Sequence, residues 1–221
     1  NYKYIHYSSE DIRGIDVALL YNQDFTPIIH SKLVAITEAS EEKTRDVLYV
    51  QGMLQQLKLN IYVIHAPSRR EHNIKKALRT KIFSMVYQHI EDLKAKGEEN
   101  FIIMGDFNDE PWDSSVKNGF NTMAHRNNPE PFLVNLMRNN KNKRGSYVYN
   151  GQYCSFDQFI VSKPFLKHIE VEDKEEEMIF RPEFLVDKDK HSRLIQPLPT
   201  YKGMHYQGGA SDHFPIRLFL K

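Results

Sequence analysis

The run LNIYVIHAP (59–67) is apolar on both of the faces that a strand presents, and FIIMG (101–105) repeats the pattern in shorter form. Successive strand residues point to opposite sides, so a run without alternation has to be covered on both. The two segments therefore predict strands deep in a sheet. Between them Ile74, Leu78, Ile82, Met85, His89 or Ile90, and Leu93 recur at steps of three and four, which predicts one amphipathic helix over 73–96. Lys94 and Lys96 suit its negative C-terminal end, and Gly97 stops it.

Further strands are predicted at IDVALLY (15–21), FTPIIHSKLVAI (25–36) and RDVLYVQGML (45–54), the last joined to 59–67 by a hairpin through Gln55 to Lys58. SYVYN (146–150), FDQFIVS (156–162) and FPIRLFL (214–220) complete the set. The Pro- and Asn-broken stretch 111–144 reads as loops with a short helical turn at 132–137, forming the surface of a cleft. The charge-dense runs 170–178 and 186–193 read as solvated loops. Many strands, one clear helix and no repeat predict sheet-rich α/β layers rather than a doubly wound parallel sheet.

The 221 residues fit one domain, 1–221. Thirty basic against twenty-nine acidic residues give a net charge of +1, which argues against a dedicated binder of long duplexes, since such affinity rests on many phosphate contacts. The single cysteine, Cys154, excludes an internal disulfide framework and leaves the compartment open. The chain contains no run of about 18 apolar residues, the length that a membrane-crossing helix needs.

Polar chemistry collects where the predicted strands end. Asp106 and Asn108 follow FIIMG two residues apart, so in extended chain a carboxylate and a carboxamide face one side. Ser211, Asp212 and His213 follow Gly208 and Gly209 before the last predicted strand, offering a metal ligand beside an imidazole. Asp157 stands in an aromatic and β-branched run, where a carboxylate needs a partner, and His213 is a candidate. His65 ends a buried strand and is followed by Arg69 and Arg70, whose forked donors suit phosphate oxygens. Trp112 lies beside this loop as a cleft wall, a base-stacking surface or a core residue. The turn with Arg13, Gly14 and Asp16 reads as structural. Taken singly, each motif has a bland reading: Asx turn, core histidine or solvated charge. The spacings match no zinc-finger or EF-hand pattern, so a site here has to be assembled by the fold.

Taken in order, RGIDVALLY (13–21), HAPSRR (65–70), GDFNDEP (105–111), FDQFIVS (156–162) and GGASDHFP (208–215) resemble the endonuclease/exonuclease/phosphatase superfamily, in particular its bacterial branch with RGIDVALLY and HWPSR-like segments. The resemblance covers nearly the whole chain. It implies a DNase I-like, four-layered α/β sandwich with two central, mostly antiparallel sheets and an active site at one end of them. It also implies hydrolysis of phosphate esters, in nucleic acid or a small phosphorylated molecule, with Mg2+ or Mn2+. Asp106 would activate the attacking water, Asn108 would hold phosphate and water, and His213, held by Asp157, would contact the scissile phosphate. His65 would hydrogen-bond the phosphate, Asp212 would be a metal ligand, and Arg69, Arg70 and Trp112 would meet substrate.

Two departures stand out. Ala66 occupies a position where this branch usually has Trp, and no Glu matches the family's principal metal ligand, Glu10 lying in the different context SSEDIRG. The expectation is of a domain lacking its N-terminal strands. The alternative is a non-catalytic phosphate- or nucleotide-binding relative of the same fold.

Overall fold

A computed structural model describes residues 1–34, 43–69, 73–123, 130–138, 144–170, 178–187 and 194–221. In chain order its elements are β1 (Lys3–His6), β2 (Ala18–Tyr21), β3 (Phe25–Leu33), β4 (Val47–Leu54), β5 (Leu57–His65), α1 (Lys76–Lys94), β6 (Phe101–Asp106), α2 (Ser114–Gly119), β7 (Leu133–Asn135), β8 (Tyr147–Tyr149), β9 (Gln152–Cys154), β10 (Asp157–Ser162), β11 (Tyr201–Lys202) and β12 (His205–Tyr206). The main sheet has six strands in the order β3-β4-β5-β6-β10-β7. Every pairing in it is antiparallel except β5 with β6, where α1 supplies the crossover that parallel neighbours require. Two-stranded sheets β1-β2, β8-β9 and β11-β12 lie outside it.

The doubly apolar strands have a direct cause, because each face of the main sheet carries its own core. On one face Tyr49, Tyr62, Ile64, Phe101, Ile103 and Ile160 pack against Ile82, Phe83, Val86 and Ile90 of α1 and Val116 of α2. On the other face Leu48, Val50, Ile61, Ile102, Phe159 and Val161 pack against Ile5 of β1 and Leu19 of β2, and the C-terminal residues Leu218 and Leu220 lean on the same core. Burying one such side chain contributes about 1.5–3 kcal/mol, so reversing the strand faces would forfeit both cores.

Several local expectations change. The buried stripe of α1 runs through Arg79, Ile82, Phe83, Val86 and Ile90, while Ile74 is 72% exposed and precedes the helix. The predicted helical turn at 132–137 is instead the edge strand β7, paired to β10. A six-residue apolar run is too short for periodicity to tell helix from strand. The helix α2 lies inside the stretch read as loops, and β1 has no counterpart among the expected strands. Among the described residues the segment 214–220 makes antiparallel bridges from Ile216 to Ile179 and from Leu220 to Ile169. Most of the two charge-dense runs, 171–177 and 188–193, lies outside the described residues.

Two features fix the end of β6. Gly105 has φ +132°, and a Cβ built there would lie 2.0 Å from the Ile64 carbonyl oxygen, so only glycine allows β5 and β6 to approach this closely. Beyond the strand, the fully buried Asp109 carboxylate accepts from Arg79 Nε at 2.7 Å, Arg79 Nη2 at 2.9 Å, Arg69 Nε at 3.0 Å and Ser115 Oγ at 2.5 Å. Arg79, equally buried, also donates to the carbonyls of Pro67 and Ser68. One ion pair thus ties α1 to both the loop after β5 and the loop after β6.

Gly105→Ala combines a left-handed backbone with a backbone clash and should lower stability by at least about 3 kcal/mol in urea unfolding. Asp109→Asn leaves the Arg79 guanidinium buried without its counter-charge and should cost about 3–5 kcal/mol by the same measurement. The double replacement Arg79→Met with Asp109→Leu should cost less than the sum of the two single ones.

Candidate active site

Strand register brings the first three polar groups together. His65 ends β5 directly opposite Asp106, the last residue of β6, and Asp106 in turn lies opposite Asp157, the first residue of β10. Alternation then sets their direction. Asp106 is in phase with Ile102, and Asp157 with Phe159 and Val161, so both project toward the core face shared with β1 and β2. His65 is in phase with Leu59 and Ile61 and turns the same way. His65 Nε2 lies 3.4 Å from Asp106 Oδ2.

Past β6 the chain bends through Asn108, at φ +49°, a left-handed conformation that Asn tolerates better than most residues. This bend returns Asn108 to the strand end: its backbone N–H donates to Asp106 Oδ1 at 2.7 Å, and its Nδ2 donates to Asp106 Oδ2 and to the Ala66 carbonyl, both at 3.0 Å. The Asx turn and the convergence of carboxylate with carboxamide are the same structure.

His213 arrives from the C-terminal segment, anchored where Phe214 N–H donates to the Ser146 carbonyl at 2.7 Å. Its Nδ1 lies 2.7 Å from Asp157 Oδ2. Burial by itself would depress this imidazole's pKa, but the hydrogen bond and charge of Asp157, with Asp106 and Asp212 behind, outweigh that and raise it to about 9. His65 shows the reverse: burial, then the neighbouring charges of Arg45, His213 and Arg13, pull it down to about 4. At neutral pH one imidazole is cationic and the other neutral. Burial and the adjacent Asp157 carboxylate push Asp106 well above the usual carboxylate range.

Ligand-capable atoms of Asp106, Asp157 and His213 all lie within 4.8 Å of one another, a candidate three-residue metal cluster. Two carboxylates on neighbouring strands form an oxygen-rich set of the kind hard divalent cations take, and their mutual repulsion is what such a cation would relieve. Asp212 lies on the same cavity wall but is exposed and outside that cluster.

The cluster opens into a cavity of about 840 Å³ that also admits Asn108, His65, Arg69 and Trp112. Arg69 is committed to the wall: its guanidinium pairs with Asp109 and Asp113 and lies 5.2 Å from the centre of the Phe156 ring. Arg70 lies outside the described residues. Arg13, expected to be structural, lines the cavity. So does Arg45, whose buried side chain donates to Asp11 Oδ2 and to the His65 and Ala66 carbonyls. Nothing in the local pattern RDVLYV marked Arg45. The cavity is also lined by Tyr147, Tyr149 and Tyr153 from β8 and β9. Their signal was present: Asn150-Gly151, at φ +47° and +71°, is the dipeptide of a two-residue hairpin turn.

Among solved structures, the chain is similar to an endonuclease/exonuclease/phosphatase family protein from Bacteroides thetaiotaomicron at 14% identity and TM-score 0.54, covering 73% of this chain and 59% of that one. It is similar to a mannosyl-6-phosphatase of Bacteroides thetaiotaomicron VPI-5482 at 15% identity and TM-score 0.58, covering 100% and 77%. A third similarity is to D. rerio TDP2 complexed with single strand DNA product, at 16% identity and TM-score 0.51, covering 73% and 62%. The chain thus spans about three-fifths of the length of the first and third of these. Among curated proteins none matches it. The sequence profile of the Endonuclease/Exonuclease/phosphatase family matches residues 1–221, and the chain belongs to that family.

Proposed function

We propose that this protein hydrolyses phosphate esters with a divalent cation, Mg2+ or Mn2+, by in-line attack of water on phosphorus. The observation that carries the proposal is the convergence of Asp106, Asp157 and His213 within 4.8 Å, with His65 and Asn108 on the same cavity. Asp157 and the nearby Asp212 would supply oxygens to the cation beside Asp106, while His213, cationic, supplies none. When bound, the cation supplies positive charge that keeps the paired carboxylates ionised and offsets charge on the phosphate oxygens.

The chain's own residues divide the remaining work. Asp106, oriented by two bonds from Asn108, takes up the proton as water attacks phosphorus. The bond between phosphorus and the leaving oxygen breaks, and that oxygen departs with the bond's electron pair and takes a proton from solvent water. His213, cationic and held by Asp157, faces the charge that gathers on the phosphate, and neutral His65 donates a hydrogen bond to it. Arg69 and Trp112 border the space for the rest of the substrate, with Arg70 following in the chain. The same reading takes 1–221 as one domain and its two cores as the inner and outer seams of a four-layered sandwich. A substrate with one exposed phosphoester, at a nucleic acid end or in a small molecule, suits a chain of net charge +1 better than a long duplex does.

Hydrolysis of bis-p-nitrophenyl phosphate should require added Mg2+ or Mn2+ and stop with EDTA. Asp106→Asn and His213→Ala should each lower kcat by about 10²–10⁴ with circular dichroism unchanged. A non-catalytic binding protein would instead show no metal-dependent turnover in the wild type.

A further inference from the structure

Part of the cavity lining is a stack of tyrosine rings that the proposed hydrolysis does not use. Tyr147 lies nearly parallel to the His213 imidazole, 4.5 Å between centres at 20°. Its ring also stacks with Phe156 at 5.8 Å and 30°, and with Tyr149 at 6.4 Å and 20°. Strand alternation puts residues 147 and 149 on one face of β8, and the tight Asn150-Gly151 turn holds β8 against β9. The ladder therefore runs from the phosphate-facing imidazole outward to Tyr149, which is 57% exposed. Exposed tyrosines at a hairpin are common on their own. A tyrosine in near-parallel register with a site histidine, lining the same cavity, is a platform aimed at the substrate.

The same hairpin brings Asn150 and Gln152 to the cavity, and each carries a carboxamide with paired donor and acceptor. Flat rings to stack on, beside carboxamides able to read a polar edge, suit a nucleobase. An alkyl group would leave the carboxamides without partners. Arg13, which lines the cavity with its side chain half exposed, suits a phosphate attached to that base.

Resting on the phosphoesterase reading, we propose that Tyr149 is the outer platform of a nucleobase subsite, so that the substrate class is a nucleotide or a single-stranded nucleic acid end. The base stacks on the tyrosine ladder while its phosphate lies by His65 and His213. Specificity then comes from the β8-β9 hairpin, and chemistry from the strand ends.

The test is calorimetric binding of adenosine 5′-monophosphate and ribose 5-phosphate, with Mg2+ present, to wild type, Tyr149→Ala and Tyr149→Trp. Wild type should bind the nucleotide at least about tenfold more tightly than the sugar phosphate, within the 5- to 150-fold range that stacking one base supplies. Tyr149→Ala should lose about tenfold for the nucleotide and nothing for ribose 5-phosphate, and Tyr149→Trp should retain the preference. Equal wild-type affinities, no binding of either ligand, or an equal loss for both in Tyr149→Ala would overturn the subsite. Metal-dependent hydrolysis of bis-p-nitrophenyl phosphate by wild type, measured in parallel, judges the catalytic reading separately. Turnover without a base preference removes the subsite alone. A Tyr149-dependent base preference without turnover removes the catalysis alone and leaves a nucleotide-binding protein.

Discussion

The approach of β6 to its two neighbours is the constraint from which the rest of the site follows. A parallel partner on one side and an antiparallel one on the other place His65, Asp106 and Asp157 in a single row across three strand ends. Gly105 makes that row possible, because any side chain there would meet the Ile64 carbonyl. Each of these residues would be a strand terminus with an unremarkable polar group if the register slipped by one, since a slip turns every side chain to the opposite face. The two cores prevent the slip, because each face is already committed to its own set of apolar partners.

Holding three ionisable groups this close is costly unless the surroundings are satisfied. A dense set of buried polar interactions supports this end of the sheet. Asp109 gathers Arg79, Arg69 and Ser115, and its backbone carbonyl accepts from Gln158, which in turn accepts from Asn135. Arg45 holds the carbonyls of His65 and Ala66 from the other side. The outcome ties residues 66–69 after β5 and 107–113 after β6 into one hydrogen-bonded frame, the kind of support that holds a titratable pair in place. The two histidines diverge in charge because burial, with Arg45 behind it, prevails at His65, whereas the hydrogen bond and charge of Asp157 outweigh burial at His213.

The structure also separates two walls of one cavity. The strand ends supply charge and proton chemistry, and the β8-β9 hairpin supplies flat apolar surface. Tyr147 joins them by stacking on the histidine that Asp157 orients. Among the described residues no helix is long and apolar enough to cross a membrane.

Strand character was legible in LNIYVIHAP and FIIMG because burial on both faces leaves no alternation to misread, and α1 because nineteen residues give period 3.6 room to show. Asp106, Asn108, Asp157 and His213 were legible as polar groups at strand mouths within ordered family motifs. The short elements were not: α2, β7 and the bridged segment 214–220 owe their form to neighbours rather than to intrinsic preference. Arg45 and Arg13 could be placed at the cavity only by the folded chain, since nothing in their local pattern separates a site arginine from a solvated one. The sequence by itself determined which residues end buried strands and what chemistry they carry. Which of them meet was decided by the tertiary structure, because contact between residues 65, 106, 157 and 213 depends on strand register, and register is a property of the packed sheet.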